Sequence, residues 1–418
     1  MQKLIIKGKK ILSGYINISG SKNATLPILA ATILSDKPLV LKNVPLVQDV
    51  YTMINLLKFI GLNITISKKK STLNILNNKK LKTVAPYNLL KTMRAGVLVL
   101  GPLLAKYKKA KVSLPGGCAI GTRPINLHLF ALEKLGAKIK ISNGYIYASA
   151  KNGLKGGIIK FPSISVGATE NAILAAVSAK GKSTISNCAI EPEIQDMIIF
   201  LKKIGCNINF VGRRKILIIG TNNFKKANHE IIFDRIELGT YLIAGALVGK
   251  KIILNKVNPV IINTEIKIMK KMGVKMRIEK NKIIVLESKK LNSINIKTEP
   301  YPGFPTDLQA QIMVLMSKAK GISKVKESIF ENRFMHVPEL KRMGAKITTK
   351  KNVAIITGST SLSGAEVMAT DLRASVSLVL AALIADNRTI INRIYHLDRG
   401  YENLEKKLKN CKANISRI

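Results

Sequence analysis

The sequence repeats one short phrase, Gly136-Ala137-Lys138-Ile139, six times with small changes, and this repeat predicts the fold. The other five copies are Gly61-Leu62-Asn63-Ile64, Gly205-Cys206-Asn207-Ile208, Gly273-Val274-Lys275-Met276, Gly344-Ala345-Lys346-Ile347 and Lys412-Ala413-Asn414-Ile415. Their spacing of 68 to 75 residues is too long for a solenoid repeat and is typical of a small α/β module. In each module we expect the glycine to cap the C-terminus of a helix and to lead into a strand.

Each module also contains a segment that is apolar on nearly every side and rich in small residues. These segments are residues 23–34, 92–105, 168–179, 238–248, 308–319 and 374–385. Because a helix that is apolar all round is buried on all sides, they are predicted to form the core. A second helix in each module, such as residues 193–204 or 402–409, is amphipathic with lysines on its outer face. The pattern indicates an inverted α/β arrangement, with buried helices inside and strands and amphipathic helices outside.

Composition sets limits on the class of protein. The chain has 418 residues, of which 47% are hydrophobic and 22% charged, so it can form two or more cores. Residues 1–17 do not resemble a secretory signal, and apolar runs such as residues 376–385 are shorter than the roughly twenty residues that cross a bilayer. The four cysteines are widely spaced, which fits a reducing cytoplasm and indicates neither a zinc site nor a disulfide framework.

The net charge is the one global feature that suggests another function. The chain has 69 Lys+Arg against 24 Asp+Glu, a net charge of +45, and a strongly basic surface can bind nucleic acid. The lysines are spread over nearly every segment, aromatic residues make up only 5%, and no known nucleic-acid-binding motif is present. We interpret the excess as compositional drift, as in an AT-rich gene, and expect no specific nucleic-acid partner. A basic nucleic-acid-binding protein remains the alternative from another class.

A glycine-rich loop carries the most reactive candidate side chain. Residues 113–128 read Ser-Leu-Pro-Gly-Gly-Cys-Ala-Ile-Gly-Thr-Arg-Pro-Ile-Asn-Leu-His, with Cys118 between glycines. Arg123 precedes Pro124, and proline is favoured at the first position of a helix. A guanidinium and a helix N-terminus near the sulfur would favour the thiolate. The alternative is an ordinary buried cysteine in a turn.

Charged residues recur at equivalent places in the modules. Those at or just before the first helix are Lys22, Arg94, Asp307 and Arg373, and those at the start of the second are Arg123, Arg333 and Arg399. If the modules are related by rotation, these helix N-termini converge and create a site for a highly anionic ligand. A single arginine would be a surface charge or a salt-bridge partner, but the repeated placement favours a site. With one carboxylate, one thiol and neither a metal cluster nor a nucleotide-binding glycine motif, the set fits transfer between two phosphorylated small molecules.

Several motifs resemble those of the enolpyruvyl transferase family, and in particular its UDP-N-acetylglucosamine 1-carboxyvinyltransferases. They are Pro115-Gly116-Gly117-Cys118-Ala119-Ile120-Gly121-Thr122-Arg123-Pro124, Lys22-Asn23, Arg94 in Lys91-Thr92-Met93-Arg94-Ala95, Ser165-Val166-Gly167-Ala168-Thr169, Phe304-Pro305-Thr306-Asp307, Glu331-Asn332-Arg333-Phe334 and Asp398-Arg399-Gly400-Tyr401. The rival branch, 5-enolpyruvylshikimate-3-phosphate synthase, lacks the Pro-Gly-Gly-Cys loop. The presence of that loop favours the branch that acts on the nucleotide sugar.

The resemblance implies a two-domain inside-out α/β barrel built from six βαβαββ-like modules. The first three-module domain would span residues 22–232, and the second would combine residues 1–21 with 233–418, with a double hinge near residues 22 and 232. The N-terminal strand is expected to cross back to the second domain. The resemblance also implies a monomeric cytoplasmic enzyme that needs no cofactor or metal and has no membrane partner.

The implied reaction transfers the enolpyruvyl group of phosphoenolpyruvate to the 3-hydroxyl of UDP-N-acetylglucosamine and releases phosphate by addition and elimination. This is the first committed step of peptidoglycan synthesis. Cys118 is expected to donate a proton to the methylene carbon and Asp307 to accept one from the hydroxyl, and Lys22 and Arg399 complete the implied catalytic set.

The resemblance also implies two sets of binding residues. Phosphoenolpyruvate would be held by Lys22, Asn23, Arg123 and Arg399. The nucleotide sugar would be held by Arg94, Arg123, Pro124, Ile125, Asn126, Leu127, Ser163, Ile164, Ser165, Val166, Asp307 and Ile329. Four positions depart from the family pattern, namely Asn126 in place of aspartate, Ser163 in place of lysine, Ile190 in place of arginine and Lys412 in place of glycine.

Overall fold

The computed structural model describes residues 2–77, 80–116 and 125–418. These residues form two compact units. The N-terminal unit contains residues 20–116 and 125–232 apart from residues 78–79, and the C-terminal unit contains residues 2–19 and 233–418. The domain boundaries and double hinge expected near residues 22 and 232 stay a prediction.

The elements are as follows. The strands are β1 (Leu4–Lys7), β2 (Leu12–Asn17), β3 (Leu39–Lys42), β4 (Asn63–Ser67), β5 (Thr72–Leu76), β6 (Val84–Ala85), β7 (Lys109–Ser113), β8 (Lys138–Ser142), β9 (Tyr145–Ser149), β10 (Ile158–Lys160), β11 (Lys182–Ser186), β12 (Asn207–Gly212), β13 (Lys215–Ile219), β14 (Ala227–Glu230), β15 (Gly249–Asn255), β16 (Met276–Glu279), β17 (Lys282–Leu286), β18 (Asn295–Lys297), β19 (Ile322–Lys326), β20 (Lys346–Lys350), β21 (Val353–Thr357), β22 (Glu366–Met368), β23 (Arg388–Asn392) and β24 (Asn414–Arg417). The α-helices are α1 (Lys22–Ala31), α2 (Gln48–Ile60), α3 (Tyr87–Leu90), α4 (Leu100–Tyr107), α5 (Asn126–Lys134), α6 (Val166–Ala176), α7 (Pro192–Lys203), α8 (Arg235–Val248), α9 (Asn263–Lys271), α10 (Gln309–Lys318), α11 (Val337–Arg342), α12 (Leu372–Ile384), α13 (Tyr395–Asp398) and α14 (Leu404–Asn410). The 3-10 helices are Arg94–Val99, Pro259–Ile262 and Thr306–Leu308.

Each unit contains three four-stranded sheets of one topology. In the N-terminal unit the orders are β14-β3-β5-β4, β6-β7-β9-β8 and β10-β11-β13-β12, and in the C-terminal unit they are β16-β17-β15-β2, β18-β19-β21-β20 and β22-β23-β1-β24. β10 and β11, for example, are parallel and are joined by α6, whereas β13 is antiparallel to both β11 and β12. The predicted βαβαββ module is therefore confirmed.

Three sheets are completed by strands that are distant in sequence. β14 pairs in parallel with β3, with Ala227 opposite Leu39. β2 pairs in parallel with β15, and β1 lies between β23 and β24, antiparallel to both. In each unit, strands that are far apart in sequence therefore pair to complete the sheets of its three modules.

The first helix of each module is buried, as the apolar segments predicted. In α8, every residue from Arg235 to Leu247 is buried, and α8, α10 and α12 contact one another. The segment expected as one helix over residues 92–105 is instead the 3-10 helix Arg94–Val99 followed by α4. Pro102 lies in the first turn of α4, where proline is tolerated. No helix in the described parts of the chain is both long and apolar enough to span a membrane.

The repeated phrase ends the second helix of each module, as expected. Its five glycines have φ between 89° and 124°, a backbone conformation that favours glycine. Lys412 adopts the same conformation with φ 72° although it carries a side chain. The backbone of the sixth module therefore follows the other five despite the missing glycine.

Candidate active site

Lys22 lies at the first turn of a buried helix in the N-terminal unit. The Ser21 hydroxyl caps α1 by accepting a hydrogen bond of 3.3 Å from the N–H of Ala24. Lys22 is only 8% exposed, and its Nζ lies 3.3 Å from Oδ2 of Asp49 in the first turn of α2. The Asp49 carboxylate offsets the cost of burying the ammonium group. Asn23 follows on α1 and is half-buried.

His128, three residues after Ile125, lies in a hydrogen-bond network in which the donor and the acceptor of each bond can be assigned. Oδ1 of Asn171 accepts a hydrogen bond of 2.8 Å from the N–H of Gly101, so the amide nitrogen of Asn171 must be the atom that lies 3.2 Å from Nδ1 of His128. Nδ1 therefore accepts, and the ring proton is on Nε2. Burial, together with the positive charge of Arg94, lowers the pKa of His128 to about 3, so the ring is neutral at physiological pH.

The same histidine connects two predicted binding segments. A Cβ atom on Gly167 would lie 3.0 Å from Cε1 of His128, so the glycine allows the ring to approach the start of α6. The structure thus brings residues 125–127 close to residues 164–166. Ser165 caps α6 by accepting a hydrogen bond of 3.3 Å from the N–H of Ala168.

The predicted binding residues in these segments differ in exposure. Ile125 is buried, Leu127, Ile164 and Ser165 are half-buried, and Asn126, Ser163 and Val166 are exposed. Arg94 is half-buried and begins the 3-10 helix that precedes α4. The exposed members can contact a ligand without any change in the packing of the core.

Asp307 is the centre of a charged cluster in the C-terminal unit. It lies in the 3-10 helix Thr306–Leu308, directly before α10. Nη2 of Arg333 donates to Oδ1 at 2.6 Å, and Nη2 of Arg373 donates to Oδ2 at 2.8 Å. The arginine side chains are only 5% and 6% exposed, whereas that of Asp307 is 27% exposed. Two charge-assisted hydrogen bonds hold the carboxylate while part of it stays accessible.

Arg399 and Arg333 do not begin the second helices of their modules, and this part of the sequence prediction is wrong. Arg399 follows the short helix α13 and lies five residues before α14, and Arg333 lies in the loop before α11. The backbone beside Arg399 is fixed by another ion pair, because Arg417 of β24 donates to both carboxylate oxygens of Asp398 at 2.9 and 2.7 Å. Arg399 itself is half-buried.

Sequence reasoning missed Glu327, which connects two predicted site segments. Glu327 is 2% exposed and directly follows β19. Its Oε1 accepts hydrogen bonds from the N–H groups of Ile329 at 2.8 Å and Phe330 at 3.1 Å, and its Oε2 accepts one from the Thr306 hydroxyl at 3.0 Å. The carboxylate therefore ties the loop that carries Ile329 to the turn that carries Asp307. A single glutamate has no spacing pattern that could have indicated this role.

The loop residues Cys118, Arg123 and Pro124 lie outside the described residues. The other three cysteines are buried, and burial raises the pKa of Cys188 to about 11, of Cys206 to about 12 and of Cys411 to about 11. Cys188 follows β11, and Cys206 directly precedes β12.

Comparisons with known proteins cover the whole chain. Residues 6–408 match the family model described as EPSP synthase (3-phosphoshikimate 1-carboxyvinyltransferase). A protein of Pelagibacter ubique named UDP-N-acetylglucosamine 1-carboxyvinyltransferase is 60% identical over 418 residues, with full coverage of both chains. A protein of the same name from Rickettsia bellii is 51% identical over 421 residues, again with full coverage of both chains.

Solved structures agree on the fold. The crystal structure of the enolpyruvyl transferase NikO from Streptomyces tendae superposes with a TM-score of 0.90 at 22% identity and covers 100% of this chain and 98% of its own. EPSP synthase from Acinetobacter baumannii superposes with a TM-score of 0.78 at 17% identity and covers 100% of this chain and 99% of its own. The inside-out two-domain α/β barrel is thereby established for this sequence. The chain belongs to the enolpyruvyl transferase family, in the branch of the UDP-N-acetylglucosamine 1-carboxyvinyltransferases.

Proposed function

We propose that this protein transfers the enolpyruvyl group of phosphoenolpyruvate to the 3-hydroxyl of UDP-N-acetylglucosamine and releases phosphate. The observation that carries this proposal is the 60% identity to a UDP-N-acetylglucosamine 1-carboxyvinyltransferase over the full length of both chains. The reaction would supply the first committed precursor of peptidoglycan. The charged residues of both units support the proposal, because both substrates carry phosphate groups.

Phosphoenolpyruvate carries a phosphate and a carboxylate, and we assign four residues to it: Lys22, Asn23, Arg123 and Arg399. Lys22 supports this assignment because its ammonium group is held at the start of α1, where the helix dipole also favours an anion. The Asp49 carboxylate 3.3 Å away offsets part of the cost of burying that ammonium group. Arg123 lies outside the described residues, and its assignment rests on the family motif alone.

The residues that we assign to the nucleotide sugar come from several segments of the chain. The assigned residues are Arg94, Arg123, Pro124, Ile125, Asn126, Leu127, Ser163, Ile164, Ser165, Val166, Asp307 and Ile329. In the N-terminal unit, the proximity of the His128 ring to Gly167 supports a shared role for the segments that contain Ile125 and Ser165. In the C-terminal unit, the hydrogen bonds of Glu327 support a shared role for Asp307 and Ile329.

The reaction needs one group that accepts a proton and another that donates one. In the addition step, the Asp307 carboxylate takes the proton of the sugar 3-hydroxyl, whose oxygen bonds to C2 of phosphoenolpyruvate, while the Cys118 thiol protonates the methylene carbon. In the elimination step, the Cys118 thiolate takes a proton back from the resulting methyl group, the double bond forms again, and phosphate leaves with the proton that Asp307 had accepted. Lys22 and Arg399 stabilise the charge that develops on the leaving phosphate.

We also propose that the protein acts in the cytoplasm as a monomer without a cofactor, a metal ion or a specific nucleic-acid partner. Three thiols that burial holds protonated at neutral pH, those of Cys188, Cys206 and Cys411, are compatible with a reducing compartment. The charge of +45 then belongs to solvated surfaces and has no recognition role.

One assay tests the reaction. Purified protein is incubated with phosphoenolpyruvate and either UDP-N-acetylglucosamine or shikimate 3-phosphate, and released phosphate is measured. We expect release only with the nucleotide sugar, and a loss of at least about a hundredfold in Asp307→Asn, since a removed general base typically costs 10²–10⁴ in rate. Release that depends on shikimate 3-phosphate instead would contradict the proposal.

A further inference from the structure

A buried chain of hydrogen bonds lies behind Asp307. Arg373, which donates to Asp307 through Nη2, places Nη1 at 3.3 Å from the hydroxyl of Tyr401. That hydroxyl lies 2.9 Å from Oγ1 of Thr240, which in turn lies 2.8 Å from the carbonyl oxygen of Ile236. Tyr401 and Thr240 are 3% and 1% exposed, so this chain is shielded from water.

The groups at the two ends of this hydrogen-bond chain fix which partner donates in each bond. A guanidinium group can only donate and a carbonyl oxygen can only accept. Thr240 has one hydroxyl proton, which goes to the carbonyl of Ile236, so Tyr401 must donate to Thr240 and accept from Arg373. Burial raises the pKa of Tyr401, so its hydroxyl keeps the proton that this arrangement needs.

A second contact connects the chain to the backbone of Asp307. Nε2 of Gln311 donates to the carbonyl oxygen of Asp307 at 2.8 Å and lies 3.3 Å from Oγ1 of Thr240 and 3.4 Å from the Tyr401 hydroxyl. Gln311 is fully buried on α10. Both the side chain and the main chain of Asp307 are therefore connected to the pair Tyr401 and Thr240.

We propose that Tyr401 and Thr240 are positioning residues that orient the Asp307 carboxylate through Arg373. This inference rests on the proposed function, in which Asp307 takes the proton of the sugar hydroxyl. Thr240 lies inside α8, which is buried along nearly its whole length. This helix therefore holds one end of the hydrogen-bond chain in a fixed position. Without the Tyr401 hydroxyl, the buried Nη1 of Arg373 loses an acceptor, and the guanidinium turns toward another one. Asp307 then keeps Arg333 but loses its second fixed contact.

The alternative is that Tyr401 only fills space. Its ring centre lies 5.7 Å from the guanidinium carbon of Arg373, and phenylalanine would preserve that packing. The hydroxyl is therefore the part to remove. In Tyr401→Phe we expect kcat to fall by about tenfold, since the net value of a hydrogen bond to a charged group corresponds to roughly that factor. KM for phosphoenolpyruvate should change by less than about twofold, because Tyr401 is buried and neither it nor Asp307 is assigned to that substrate.

Three further variants show whether an effect comes from the hydrogen-bond chain or from a general change in packing. Thr240→Val removes the acceptor of the Tyr401 proton and should match Tyr401→Phe, whereas Thr240→Ser keeps the hydroxyl and should retain most of the wild-type kcat. The double variant should be no slower than either single variant, because both changes break the same chain.

Tyr241→Phe is the matched control. Tyr241 is also buried, on the same helix and next to Thr240, but its hydroxyl has no hydrogen-bond partner among the residues that the structure describes. We expect wild-type kcat and KM in this variant. Equal losses in Tyr241→Phe and Tyr401→Phe would assign the effect to packing and overturn the proposal.

The remaining outcomes are also decisive. An unchanged kcat in Tyr401→Phe, or a Thr240→Ser variant as slow as Thr240→Val, would overturn the positioning role. A crystal structure of Tyr401→Phe gives a test that does not depend on the reaction. If Nη2 of Arg373 remains 2.8 Å from Oδ2 of Asp307 in that variant, the proposal is wrong whatever the activity. Failure of the wild-type phosphate-release assay would instead contradict the proposed function.

Discussion

Oε2 of Glu327 accepts a hydrogen bond of 3.0 Å from the hydroxyl of Thr306, the residue before Asp307. The other carboxylate oxygen accepts from the N–H groups of Ile329 and Phe330. One buried carboxylate thus fixes two chain segments that are about twenty residues apart in sequence and that we assign to the nucleotide sugar. Because its hydrogen bonds are charge-assisted, they are stronger than those of a neutral amide.

The first prediction concerns replacements of Glu327. Glu327→Gln can direct its amide oxygen to the two N–H groups and its amide nitrogen to the Thr306 hydroxyl, so KM for UDP-N-acetylglucosamine should rise by less than about threefold. Glu327→Ala leaves two N–H groups without an acceptor and should raise that KM by roughly tenfold. Steady-state phosphate release measures both. A glutamine variant as impaired as the alanine variant would contradict the expected order.

The second prediction concerns the sixth copy of the repeated phrase. Lys412 has φ 72°, a conformation that costs a residue with a Cβ about 1–2 kcal/mol, and its side chain is exposed. Lys412→Gly removes that cost, but glycine also raises the entropy of the unfolded chain, which favours unfolding and offsets part of the gain. The free energy of unfolding should therefore rise by about 0.5–1 kcal/mol. Urea unfolding of both proteins at one pH provides the comparison.

Gly136→Ala is the reverse control for this prediction. Gly136 has φ 89°, and a Cβ atom there would meet nothing within 4 Å, so the substitution introduces backbone strain without a clash. The free energy of unfolding should fall by about 1–2 kcal/mol. If alanine is neutral there, or glycine at position 412 destabilises the protein, the left-handed cap is not the controlling factor.

The third prediction concerns acid stability. His128 has a folded-state pKa of about 3, against 6.5 when unfolded. Between these values the unfolded chain binds a proton that the folded chain does not, so a fall in pH favours unfolding. The part of the unfolding free energy that depends on neutral His128 is therefore fully present above pH 6.5 and is lost as the pH falls toward 3. His128→Gln should reduce the dependence of unfolding free energy on pH in this range by about 1.4 kcal/mol per pH unit.

Unfolding of the wild type and His128→Gln at several pH values measures that difference. His336, whose pKa burial lowers to about 4, offers a comparison in the C-terminal unit, and His336→Gln should reduce the dependence in the same direction. Identical pH dependence in wild type and His128→Gln would mean that folded His128 binds a proton as readily as the unfolded chain does.

Much of the fold follows from local patterns. The glycine in five of the six phrases marks a left-handed cap, and the all-apolar segments mark helices that can only be buried, so modules and core helices were predictable. The completion of the first sheet by β14 was not, because pairing with β3 depends on strands that are far apart in sequence and leaves no local pattern. Lys412 shows that tertiary structure can impose a conformation for which the residue has no preference.

The candidate site was predictable only in part. Motifs identified Lys22, Asp307 and Arg333 as residues of interest, and the structure gives each of them a charged partner within its own unit. Asp49, the partner of Lys22, was indicated by no motif, because the packing of α1 against α2 selects it. Glu327 and Asn171 belong to no sequence motif or regular spacing. Their roles depend on hydrogen bonds that form only in the folded chain.

The last prediction concerns Cys118, which lies outside the described residues. If it is a proton donor beside Arg123, its thiolate should be accessible near neutral pH, and a small phosphonate epoxide should alkylate it. Burial raises the pKa of Cys188, Cys206 and Cys411 to between about 11 and about 12, so these thiols should stay protonated and unlabelled. Mass spectrometry of the labelled protein identifies the modified residue.

Variants connect this labelling to the reaction. Cys118→Ser replaces the thiol by a far weaker acid and should lower turnover by at least about a hundredfold, whereas Cys118→Asp restores an ionisable donor that the epoxide attacks poorly. We therefore expect an active, alkylation-resistant aspartate variant, and Cys206→Ala as a control that is labelled like the wild type. Label found mainly on another cysteine, or a serine variant with an undiminished rate, would remove Cys118 from the mechanism. The glycine-flanked loop would then be an ordinary turn, and proton delivery to the methylene carbon would have to come from a different group.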